Sequence, residues 1–199
     1  MKRLNAVNVN VSNMSLSLEV KAIKSADMLL RFYASDFLKS RLLNLDRKTL
    51  KGESKSSIVW KLTNEELYEH FMSGKEESSD DVDYEADLTL SRYRKMWSKV
   101  IGYIIPMKPI IYVNAKFFDV MSVIKVACNM VHEWGHMMGL RHSGKYFRES
   151  LAYYLGTWAN EFLHNNSTPV DNIPKRKTVC YRSWKTFFMK RCYTKVVKG

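Results

Sequence analysis

Three cysteines, four prolines and eight glycines are few for 199 residues. With so little punctuation there is no Pro/Gly-rich linker, and no internal repeat divides the chain, so one domain over 1–199 is expected. With 46% hydrophobic residues it is long enough to bury a substantial core. An apolar run long enough to span a bilayer is missing, which excludes a transmembrane segment on the sequence pattern. The first twenty residues carry Lys2 and Arg3, but Asn5, Asn8, Asn10, Asn13 and several serines interrupt them. They therefore lack the apolar centre of a signal peptide; the expectation is a cytoplasmic protein if the sequence is full-length and a secreted one if it is already processed. Acidic residues are also in deficit: 20 against 32 basic ones, a formal net charge of +12.

Against this background, the segment His132-Glu133-Trp134-Gly135-His136-Met137-Met138-Gly139-Leu140-Arg141-His142 holds three of the five histidines. On a helix, residues four apart stand one above the other, so His132 and His136 can offer two imidazole nitrogens to one metal ion. Glu133 lies off that stripe but beside the open coordination position, where a general base is needed. His142 is ten residues from His132, about 15 Å along a continuing helix axis, too far to share an ion. A helix stop at Gly139, where a residue without Cβ can turn left-handed, brings His142 back. Cys128 precedes His132 by about one turn and reads as a helix residue facing the core. Glu149 and Glu161 are the alternatives to His142 as third ligand.

The segment matches H-E-x-x-H-x-x-G-x-x-H and resembles the zinc site of metzincins, of the matrixin type. The resemblance covers about a dozen residues. It implies Zn2+ held by His132, His136 and His142, Glu133 as catalytic base, and hydrolysis of a protein or peptide substrate. It also implies a methionine in a tight turn downstream, but none follows His142 until Met189. Ser150-Leu151-Ala152-Tyr153-Tyr154 is the nearest match, with Ala152 in the methionine's place. A tyrosine there, Tyr153 or Tyr154, is a candidate to stabilise the oxyanion of the transition state; core packing of both rings is the alternative.

The surrounding pattern is α+β: a single zincin- or metzincin-like domain with a small mixed sheet packed on an active-site helix and further helices. Val7, Val9 and Val11 alternate with polar residues as a strand. Ser25 or Asp27 is expected to cap a helix reaching about Leu43, with Leu29, Leu30, Tyr33, Phe37 and Leu38 near one face. Thr63 and Glu66 form a capping-box pattern for a helix through Phe71. Strands are expected around Leu88 and Leu90, at 101–105 and at 110–113, with Pro106 and Pro109 marking a bend. One of these strands is expected at a sheet edge beside the cleft, open to an extended peptide. Asp119 or Ser122 caps the active-site helix, and a last helix runs from Arg148 to about Leu163.

Two charge features frame this core. Glu76, Glu77, Asp80, Asp81, Asp83, Glu85 and Asp87 read as a solvated acidic loop, since they lack the spacing of a calcium-binding loop. Nine positive side chains and no acidic one occupy 175–199, interleaved with Tyr181, Trp184, Phe187, Phe188 and Tyr193. That segment either packs its aromatics on the core or contacts an anionic partner such as nucleic acid or a membrane surface; packing is the preferred reading. The rival function is a noncatalytic anion-binding protein with a structural zinc site. Cys180 and Cys192 flank the basic segment and either form a disulfide staple or remain free thiols.

Overall fold

The computed structural model describes residues 3–78, 81–105, 108, 110–166, 176–182 and 190–197, the last two stretches as backbone only. Strands and helices are mixed, as the sequence pattern implies. Six strands form one sheet in the order β3-β4-β2-β1-β6-β5. β1 (Ala6–Ser12) and β2 (Glu85–Tyr93) run parallel, as do β2 and β4 (Ile110–Asn114); β3 (Gly102–Ile104) pairs antiparallel with β4. β5 (Arg176–Arg182) and β6 (Lys190–Val197) form an antiparallel pair that joins the other side of β1. β3 is thus an edge strand, and it packs on the helix Val123–Met137.

The alternation in β2 decides its faces. Ala86, Leu88 and Leu90 are buried while Asp87 is exposed between them, as a half-buried strand requires. Val7 and Val9 of β1 and Ile111 and Val113 of β4 continue the same apolar core. Helices α1 (Leu16–Tyr33) and α5 (Val123–Met137) lie against the sheet, and α6 (Leu151–Asn165) packs on α5. Trp134 is at the centre, fully buried, edge-on to Tyr33 with ring centroids 4.6 Å apart.

The first long helix differs from its expected limits. α1 starts nine residues before Ser25, after Ser15, and it stops at Ala34. A separate helix α2 (Asp36–Leu43) begins at Ser35, whose side chain accepts the Leu38 N–H at 3.2 Å. Ser25 lies inside α1 and returns its hydroxyl to the Lys21 carbonyl, an arrangement a helix interior tolerates. The capping box is present as read: α3 (Asn64–Ser73) has both the Thr63 and Glu66 hydrogen bonds. Asp119 ends the short helix α4 (Ala115–Phe118) and pairs with Arg92, which leaves Ser122 as the cap of α5.

The acidic segment is a solvated loop only in part: Glu77, Asp81 and Asp83 are exposed outside any helix or strand, whereas the other described acids are placed differently. Glu85 and Asp87 belong to β2, and Glu76 is buried, its Oε1 accepting from Trp134 Nε1 at 2.9 Å and from the Asp87 N–H at 3.0 Å. Burial, only partly offset by those hydrogen bonds, raises the Glu76 carboxyl to about 7. Asp80 lies outside the described residues, as do Trp184, Phe187 and Phe188. In the hairpin, the register sets Cys180 directly opposite Cys192. No described helix is long and apolar enough to cross a membrane.

Candidate metal centre

α5 carries His132, Glu133 and His136 on its last two turns. The histidine Nε2 atoms lie 3.2 Å apart. Two nitrogens bound at about 2.0–2.1 Å to one tetrahedral ion are separated by roughly 3.3 Å, so this pair already has the spacing of two ligands on one metal. The helix then ends in a Schellman motif. Leu140 N–H donates to the Gly135 carbonyl at 3.0 Å and Gly139 N–H to the His136 carbonyl at 3.2 Å. Gly139 has φ +95°, and a Cβ there would also lie 3.2 Å from Glu77 Oε1. This turn brings His142 to the pair, and one ligand atom from each of the three histidines lies within 4.8 Å of the others. The triad can therefore hold a metal ion.

Three features prepare the imidazoles. Burial pushes His132 down to about 3 and His136 to about 4, and it lowers His142 as well, so the first two are neutral across the physiological range. His136 Nδ1 faces the Leu140 carbonyl at 2.9 Å, and this hydrogen bond leaves the lone pair on Nε2. The Ala152 backbone beside His132 opposes the lowering there, to a smaller extent than burial.

Glu133 is 5% exposed, and its Oε1 accepts from Asn129 Nδ2 at 3.1 Å. Burial raises its carboxyl to about 7, against the smaller opposing effect of that hydrogen bond. A carboxyl poised there can take up and release a proton near neutrality.

Ser150–Tyr154 is not a tight turn. It enters α6, and Ala152 packs fully buried in that helix. The close approach of α6 to α5 needs Gly156, where a Cβ would stand 3.3 Å from the Cys128 carbonyl and 3.7 Å from His132 Cβ. The packing brings the Tyr153 ring over the triad, 4.5 Å from His132 and 5.5 Å from His142 between centroids. Tyr154 faces elsewhere: its hydroxyl donates to the Thr49 carbonyl at 3.2 Å and its ring lies beside Trp158. The two reserve carboxylates are also elsewhere. Glu161 pairs with Arg41 at 3.0 Å and Glu149 with Lys51 at 3.8 Å. Cys128 is half-buried and directs its sulfur toward Asn160, 4.0 Å away. Among the described residues, the three histidines form the only group of histidine, cysteine or acidic side chains close enough to share an ion.

Two supports were not visible in the sequence. Arg141 Nη1 donates to the His136 carbonyl at 2.6 Å and the Leu140 carbonyl at 2.8 Å, capping α5 with a cation, while its Nη2 meets Glu77. Glu53, 8% exposed, bridges the His142 loop to α6. Its Oε1 accepts from the Ser57 hydroxyl and from the Arg141 N–H at 3.3 Å, its Oε2 from the Leu151 N–H at 2.7 Å, and its backbone pairs with His142. Burial raises its carboxyl, against those three hydrogen bonds. No sequence motif marks Glu53; its partners Arg141 and Leu151 are 88 and 98 residues away.

No family model matches the chain, and neither does any curated protein or solved structure.

Proposed function

We propose that this protein is a zinc-dependent metallopeptidase with a zincin-like, metzincin-type centre. The observation that carries the reading is the convergence of three histidine nitrogens within 4.8 Å, with a buried Glu133 on the helix that carries two of them. Three imidazoles, two of them held neutral by burial, are a donor set suited to zinc, and three protein ligands leave a coordination position open, as catalytic sites do. A closed structural site would need a fourth protein ligand, and none stands near the triad among the described residues.

His132, His136 and His142 would hold the ion, which when bound supplies water activation and carbonyl polarisation. Glu133 takes the proton of the attacking water on its carboxylate and returns it to the departing amine. Its raised proton affinity suits both transfers, and Asn129 fixes its orientation. Tyr153 donates its phenolic hydrogen to the oxyanion that develops on the attacked carbonyl. The edge strand β3, packed on α5, offers main-chain groups to an extended peptide beside Glu133.

The test separates binding from chemistry. Glu133→Ala retains zinc and loses peptide hydrolysis, whereas His142→Ala weakens zinc binding itself, as read by metal titration and peptide digestion. Full activity in Glu133→Ala contradicts the proposal.

A further inference from the structure

From residue 88 to residue 118 the chain contains six lysines and arginines and no carboxylate. Within this stretch, ten consecutive residues hold six exposed large hydrophobic side chains: Met96, Trp97, Val100, Ile101, Tyr103 and Ile105. Trp97 is 98% exposed. Other exposed large apolar residues, such as Leu16, Trp60 and Val120, are spread singly along the chain. Six exposed apolar side chains concentrated in one loop and the strand that follows point to an interaction surface, where singly scattered ones do not.

The loop that carries the patch is held in shape by a buried side chain. Asn114 is fully buried at the end of β4, and its Nδ2 donates to the Lys95 carbonyl at 3.0 Å and the Val100 carbonyl at 3.3 Å. Its Oδ1 accepts the Lys95 N–H at 3.3 Å. The Ser98 N–H closes a turn on the Lys95 carbonyl at 3.2 Å, and Lys116 Nζ reaches the Ser98 carbonyl at 3.3 Å. Fixing this backbone lowers the entropy cost of binding, yet the fold leaves Met96 and Trp97 in water.

Charge selects the occupant. Arg94, Lys95, Lys99 and Lys108 are all exposed around the apolar side chains, and Asp119, the acid that follows the stretch, is engaged by Arg92. An indole and aliphatic groups interleaved along the chain with exposed cations match the boundary between acyl chains and anionic headgroups. A nucleic acid would need several free stacking rings, but residues 94–101 offer one indole among aliphatic side chains, and the Tyr103 ring is already stacked on Tyr112, 4.9 Å between centroids. The sheet order sets β3 at one edge and β5 at the other, so the basic hairpin lies at the opposite edge from this loop. We infer that the 94–101 loop docks the protein peripherally on an anionic lipid bilayer, with Trp97 entering the headgroup layer, while β3 behind it stays open to a peptide. The metal centre beside β3 is thereby held near the membrane surface.

Vesicle co-sedimentation tests this with the full chain. Phosphatidylcholine vesicles containing phosphatidylglycerol are compared with phosphatidylcholine alone, in low and high salt. Binding is expected only to the anionic vesicles and to weaken with salt. Trp97→Ala should lose about tenfold in affinity. Lys95→Glu with Lys99→Glu should lose at least roughly thirtyfold, since each cation near such a surface contributes about fivefold. These side chains are exposed, so thermal unfolding of the variants should match the wild type, which separates a lost contact from a lost fold. Equal binding to both lipids, or no binding, overturns the inference. Unchanged binding by the variants does too, because it assigns the contact to another surface such as the basic tail. So does tighter binding to an oligonucleotide that the same substitutions abolish.

Discussion

Replacing the Glu53 carboxylate by an amide would leave a donor facing a donor. Its two oxygens receive three hydrogen bonds, from Ser57, Arg141 and Leu151, and glutamine has one acceptor oxygen with which to meet them. The Arg141 N–H is adjacent to His142, and the Leu151 N–H opens the helix that carries Tyr153. Glu53→Gln is therefore expected to lower zinc affinity by about 10–100-fold through a misplaced third ligand, the range typical of outer residues that orient metal ligands. Competitive zinc titration reads this directly; an affinity equal to wild type would show that the loop holds His142 without the brace. The histidines themselves were legible as a spacing on a helix and a glycine stop. Glu53 was not, because a carboxylate in a hydrophilic run acquires its role only from contacts that the fold supplies.

Among the elements, the Glu76 segment is tied to α5 through the Trp134 indole, and that tie is pH-dependent. The folded pKa of Glu76, about 7, is above its ordinary 4.5. The folded state thus holds the proton more tightly than the unfolded chain, and the resulting stability is complete below pH 4.5 and is lost as pH rises through 7. A shift of that size corresponds to at most about 3 kcal/mol. Glu76→Gln keeps the single oxygen that serves both Trp134 and Asp87 and removes the ionisation. In metal-free protein, the variant should unfold at a higher temperature than wild type above pH 7, with the two converging toward pH 4.5. A difference that does not change with pH contradicts this assignment. Elements with their own local signals were readable from sequence: the Thr63–Glu66 capping box, the Ser122 cap and the alternation of β2. The break between α1 and α2 and the burial of Glu76 were not, since one depends on a single serine cap and the other on a tryptophan 58 residues away.

For the whole molecule, the parallel strands β1, β2 and β4, the antiparallel edge β3 and the crossing of α5 by α6 place three histidines, a buried glutamate and a tyrosine near one edge strand of the sheet. The mixed α+β class followed from the alternation of strand-like and helix-like periods, whereas the position of β3 at the edge came only from long-range pairing. With no matching family model, curated protein or solved structure, the proposed chemistry rests on this geometry and on the motif. The most direct measurement is zinc content together with cleavage of a peptide library, before chelation, after it, and after zinc is restored. One equivalent of zinc per chain is expected, with cleavage that disappears on chelation and returns with the metal. A protein that binds no zinc, or one whose cleavage survives its removal, is not the zinc peptidase proposed here.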